Sequence, residues 1–240
     1  MEDLEFEDIY TEENLNAEGI LYREDESSWS PTEDIDWDLE EDLPEEKNLA
    51  LSEAATQFHY SNSSHLILCG RLMEQSEDME IKKLATYLAF SKMRNVDVFG
   101  RYLGKNPANA EIAPETKEYL GRMSSEENMT NLLLGMGVLG GTVGYGVLGH
   151  LKDAGSPLFS QIAEKVIEQK HGNEDILVNA LQNLVDAADD EDMEKMRELA
   201  RYYRERSEQI VLFHSDLLNR LELDPEEVAE SVLEATDRFY

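Results

Sequence analysis

Two runs of apolar residues spaced by threes and fours constrain this chain more than any other feature in it. One passes through Leu51, Ala55, Phe58, Asn62, His65, Leu66, Cys69 and Leu72; the other through Ile81, Leu84, Ala85, Leu88, Lys92, Asn95, Val96, Phe99 and Leu103. That spacing belongs to a helix with one buried face, so the chain predicts two long helices sharing a core. Three positions break the pattern. Asn62 in the first run, and Lys92 and Asn95 in the second, stand where Leu or Val serves a core best. A polar group removed from water costs free energy unless it is paired. These positions therefore mark a site, or the remains of one.

Charge narrows the choice of partners. Of 240 residues, 53 are Asp or Glu and 21 are Lys or Arg, for a net charge of −32. Phosphate recognition needs basic surface, so nucleic acid is excluded as a primary ligand and anionic membranes are disfavoured. Two readings of the acidity stay open: a halophilic protein whose self-repulsion is screened at high salt, or an acidic surface that meets a basic partner protein. Its spread over nearly every helical segment favours the first. Cys69 is the single cysteine and lies in an apolar run. It predicts a buried free thiol and fits a cytoplasmic protein. The start Met1-Glu2-Asp3 lacks the basic and apolar segments of a secretory signal.

Residues 1–43 are acidic, with scattered aromatics (Phe6, Tyr10, Tyr22, Trp29, Trp37), and predict an extended arm docked on the rest. Residues 44–240 show helical patterns and no strand alternation. The expected helices cover about 44–75, 77–104, 114–123, 124–152, 157–171, 192–222 and 225–238, with a segment at about 173–188 after a stop at Gly172. Long helices with short connections argue for an antiparallel bundle. The segment Leu132 to Leu151 carries no charged side chain and is long enough for a bilayer, yet seven glycines dilute its hydrophobicity. A buried central helix is the expectation, with a membrane span as the alternative. The same stretch twice matches Gly-x-Gly-x-x-Gly, at Gly135 and at Gly144, but follows no strand, so no phosphate cradle is expected. Its small residues predict close helix packing or a cavity alongside.

Several motifs then fall in a recognisable order. Trp29-x-Pro31, Ile35-Asp36-Trp37, Leu43-Pro44-Glu45-Glu46-Lys47-Asn48 and Ala55-Thr56-Gln57-Phe58 resemble the start of ribonucleotide reductase small subunits and the related ligand-binding oxidases of the ferritin-like superfamily. Phe90-Ser91-Lys92-Met93-Arg94-Asn95-Val96-Asp97-Val98-Phe99 is similar to the family's Phe-Glu-Glu-Ala-x-His-x-x-x-Phe. Gly137-Val138-Leu139 sits where the third core helix often reads Glu-Gly-Val-Leu. The resemblance implies an all-α ferritin-like bundle whose relatives hold two metal ions with four carboxylates and two histidines.

Carried over residue by residue, the resemblance places the ligand positions on Asn62, Lys92, Asn95 and Met136. None can act as an ordinary ligand there, since an ammonium only donates and an amide is a poor ligand for iron or manganese. A radical-storing Tyr of some relatives falls near Phe99. The last Glu-x-x-His matches Glu168 and His171 by spacing. However, Phe159, Ile162, Ala163, Val166 and Ile167 define that helix's apolar face, and Glu168 points nearly opposite; a register shifted by two puts the positions on Val166 and Gln169. If Glu168 and His171 do face inward, Lys92 can pair with Glu168 in place of a metal. His65 and His214 lie on inward stripes as a polar cluster, and with Glu168 they form a third, rebuilt metal-site arrangement.

Lys92 has two readings: a stem in the core with its head at a carboxylate or water, or a buried amine acting as a base or anion anchor. The expected function is a degenerate relative of the small subunit, a binding or regulatory protein without a complete di-metal site. An apolar small molecule and a homodimer are the partners the resemblance suggests. The alternative is an active oxidoreductase with an unusual or single-metal site holding iron or manganese.

Overall fold

The structure, a computed structural model, describes residues 29–40, 42–108, 110–137 and 143–236, without the side chains of residues 170–180, 184 and 187. Phe6, Tyr10 and Tyr22 of the acidic arm lie outside the described residues. The described part is all helix and connecting loop, with no strand. In chain order the helices are α1 (Glu45–Gln75), α2 (Met79–Lys105), α3 (Pro114–Ser124), α4 (Met129–Gly135), α5 (Gly144–Leu151), α6 (Pro157–Ala187), α7 (Asp190–Phe213), α8 (Ser215–Arg220) and α9 (Pro225–Thr236).

Local chemistry explains most of the boundaries. Asp78, Asn128, Ser156 and Asp189 each cap the helix that follows by accepting a backbone N–H with the side chain, which satisfies donors left free in a first turn. Pro114 and Pro157 occupy first-turn positions, where the missing N–H costs nothing. Three expectations need correction. The glycine-rich helix starts after Asn128 rather than at Ser124-Ser125, and its described part is not uniformly α-helical: α4 ends at Gly135, Met136, Gly137 and Val143 stand in wider π-type turns, and α5 begins at Gly144. Helix α6 runs through Gly172 without stopping, because a helical glycine costs only about 1 kcal/mol and forces no exit. The long helix expected to reach residue 222 breaks at His214, whose φ of −88° and ψ of 18° leave the helical region. The break turns Leu217 and Leu218 inward, where α8 meets α1.

Helices α1 and α2 form the most extensive pairing. Phe58 of α1 stacks on Phe99 of α2 at 5.3 Å, and Phe159 of α6 contacts Phe99 at 6.3 Å and Tyr102 edge-on at 5.3 Å. These rings lock three helices around one core. The buried face is broader than the two sequence runs, since Leu68, Val98 and Tyr102 are also fully buried. Residues 29–40 pack against this body: Trp29 and Ile35 are buried in the core, and Lys105 Nζ donates to the carbonyls of Trp37 and Leu39, each at 2.7 Å.

Two glycines show why the glycine-rich segment reads as it does. A Cβ on Gly135 meets the Tyr203 ring at 2.8 Å, and one on Gly146 meets Val232 Cγ2 at 2.8 Å. Both neighbours are fully buried, so α4 and α5 approach α7 and α9 more closely than alanine permits. No helix among the described residues is long and apolar enough to cross a membrane. Gly146→Ala is expected to destabilise the fold, because overpacking costs about 1–3 kcal/mol and outweighs the helix-propensity gain of about 1 kcal/mol. Gly149, with nothing within 4 Å of its added Cβ, is the control. Urea unfolding should show Gly149→Ala at or above the parent midpoint and Gly146→Ala below it.

Candidate functional site

The polar interruptions of the two runs meet where α1 and α2 face each other. Asn62 lies one turn beyond Phe58 on α1, and Asn95 one turn before Phe99 on α2, so the ring stack sets their register. Asn95 Nδ2 donates to Asn62 Oδ1 at 3.1 Å, and Asn62 Nδ2 donates to the Phe58 carbonyl at 2.8 Å. Both side chains are buried. Asn95 Oδ1 has no partner among the described residues.

His65 and Lys92 occupy the next turn of each helix. His65 Nδ1–H donates to the Ser61 carbonyl at 2.7 Å. That bond fixes the tautomer and leaves Nε2 as a buried lone pair, without a partner among the described residues. Lys92 is buried, with Nζ 5.6 Å from the centre of the Tyr145 ring, a cation–π contact. Among the described residues no carboxylate reaches it. Tyr145 was not singled out in the sequence, because glycines on either side hide it from any periodic pattern.

Burial lowers the His65 pKa to about 3; the charge of Lys92 adds to this, and the hydrogen bond to Ser61 opposes it. Cys69, fully buried as expected, is pushed up to about 11 by burial, against a smaller lowering by Lys92. The thiol is therefore protonated and inert near neutrality.

The remaining candidates do not all join this group. Met136 is buried in the core. Glu168 is exposed and pairs with Lys165 of its own helix at 3.3 Å, which corrects the reading in which it faces Lys92. The apolar face of α6 decides this, since Ile162, Ala163 and Val166 turn inward and carry Glu168 to the opposite side. The His171 side chain lies outside the described residues. Val166 and Gln169 are the inward positions instead, and buried Gln169 accepts from Trp29 Nε1 at 2.8 Å. The arm thus reaches the core through Trp29.

His214 stands apart, at the break between α7 and α8, on the wall of an apolar cavity of about 100 Å³. Its Nε2 is buried without a partner among the described residues. Burial lowers its pKa, while the charges of Glu115 and Glu53 raise it less. The rebuilt site of His65, His214 and Glu168 is not formed, since Glu168 is turned to solvent.

A di-metal centre needs several anionic oxygen ligands converging on two cations. The described inward residues here are three carboxamides, an ammonium, a thioether, an imidazole and a thiol; they do not fit that group. Among the described residues no cluster of three or more His, Cys, Asp or Glu could hold a metal ion.

No protein-family model matches the chain, and no curated protein matches it by sequence. Its structure is similar to those of R2-like ligand-binding oxidases reconstituted with a Mn/Fe cofactor. One, reconstituted aerobically, gives a TM-score of 0.64 at 14% identity over 91% of this chain and 89% of the other. A single-residue variant of such an oxidase gives 0.64 at 14% identity over 96% and 93%. Another variant, reconstituted anaerobically, gives 0.63 at 13% identity over 91% and 90%. The likeness shows the fold: the described residues form an all-α, ferritin-like bundle similar to that of R2-like ligand-binding oxidases.

The depressed pKa of His65 has a consequence for stability. Below pH 6.5 the unfolded chain takes up a proton on this residue, whereas the folded chain refuses it until about pH 3. The contribution is full above pH 6.5 and is lost as the pH falls, by up to about 1.4 kcal/mol per unit. Urea unfolding at pH 7.5 and 5.0 should show His65→Leu losing about 2 kcal/mol less on acidification than the parent.

Proposed function

We propose that this chain is a degenerate relative of the R2-like oxidases that acts by binding rather than by redox chemistry at two metals. One observation carries this reading: the buried ammonium of Lys92, which has no carboxylate partner among the described residues. A divalent cation placed beside it is repelled in a medium of low dielectric, and the neutral amides of Asn62 and Asn95 supply no charge to offset that. Lys92 and the paired amides are then a converted polar core. The cavity lined by His214 supports an apolar small molecule as the ligand, with a binding or regulatory role for the protein.

The test is elemental analysis of protein expressed in iron-replete medium. Substoichiometric iron and manganese are expected, and adding ferrous iron with oxygen should leave the absorbance spectrum unchanged. Two metals per chain overturn the proposal. A second reading, an oxidoreductase with a single unusual metal, draws support from the free Nε2 lone pair of His65. It predicts an iron- and oxygen-dependent absorbance change that is lost in His65→Ala.

A homodimer is proposed through α1 and α2, which expose Ile67, Phe90 and Met93. Exposed large apolar side chains favour association. Light scattering should give twice the chain mass of 27.4 kDa, and Ile67→Glu combined with Phe90→Glu should return the monomer.

A further inference from the structure

We infer that α8 is a hinged strap, latched to α1 by ion pairs and loosened by acid through His214. Neither a ligand nor a metal enters into this motion, which depends on the strap's own contacts.

The strap is short and both its ends depart from helical geometry. Helix α8 holds six residues, too few to stay helical without packing. His214 before it stands at φ −88° and ψ 18°. Glu222 after it stands at φ 63°, a left-handed conformation that is costly for a residue with a side chain. Two non-helical residues thus bracket an undersized helix, where hinges absorb backbone change. Leu217, Leu218 and Leu221 are buried and hold the strap down. Two ion pairs tie it to α1: Arg220 with Glu53, and Lys47 with Glu222 at 2.7 Å.

His214 makes the docked state sensitive to protons. An imidazolium donates from both ring nitrogens, and its Nε2 is buried with no partner among the described residues. Burial lowers its pKa, and the charges of Glu115 on α3 and Glu53 on α1 raise it less. Glu53 is already engaged by Arg220, and Asp216 on the strap itself pairs with Arg220 at 3.3 Å. The docked strap therefore favours the neutral ring. Docking is at full strength above pH 6.5, the ordinary value for histidine, and weakens as the pH falls below it. The three buried leucines keep the docked state the major one, so acid raises the population of a minor open state. Opening moves Leu217 and Leu218 away from the apolar cavity whose wall they form.

Amide hydrogen exchange of the full chain at pH 7.5 and 5.5, expressed as protection factors, tests this. Protection over residues 215–221 should fall on acidification by up to about tenfold, the limit for one histidine proton over the unit below pH 6.5. Protection of α2 should fall less, since its amides open only with the whole domain. His214→Gln, or His214→Phe if the first variant does not fold, should remove the response in residues 215–221. Arg220→Gln should lower their protection about two- to fivefold at both pH values and keep the response, whereas Lys195→Gln, which breaks an exposed pair with Glu191 on α7, should leave them unchanged. The proposal is overturned by equal protection of residues 215–221 at the two pH values, by a loss shared equally with α2, or by a response that survives in the His214 variant.

Discussion

The stack of Phe58 on Phe99 sets the register of everything around it. It fixes α1 against α2 so that Asn62 and Asn95, one turn away, meet at hydrogen-bond distance, and so that His65 and Lys92 enter the same buried layer. Aromatic packing supplies the stability here. The polar layer is costly by comparison, because every amide, imidazole and ammonium in it has lost water. Each carries its own compensation: an amide pair, a backbone carbonyl for His65 Nδ1, and the face of Tyr145 for Lys92. Two acceptors, His65 Nε2 and Asn95 Oδ1, lack a partner among the described residues, so part of the layer's desolvation cost is not offset.

A second constraint is the close approach of the glycine-rich segment to α7 and α9. Gly135 and Gly146 admit Tyr203 and Val232 at distances a side chain would forbid. The break at His214 then bends the chain, so that α8 packs on α1. The apolar cavity lies between these two departures from straight helices.

Much of this was legible along the chain, for a definite reason. Helical periodicity reports which face is buried, so the two long runs, the inward positions of Asn62, Lys92 and Asn95, and the outward turn of Glu168 could be read from spacing alone. Periodicity does not report interruptions. The π-type turns at Met136 and Gly137, the passage of α6 through Gly172 and the break at His214 depend on packing against distant helices, and no residue type signals them. Tyr145 was hidden among glycines for the same reason: its importance lies in its distance to Lys92, which is a property of two helices.

The sequence by itself determined an all-helical chain, the surface acidity and the residue types at the inward positions, because these follow from composition and from side-chain direction on a helix. Tertiary structure alone decided how those inward groups are satisfied. It paired Asn62 with Asn95, set Lys92 over an aromatic ring instead of a carboxylate, sent Trp29 to Gln169, and left His214 on the wall of an apolar cavity. Hydrogen bonds and cavities are relations between helices far apart in the chain, and their geometry exists only once the helices have packed.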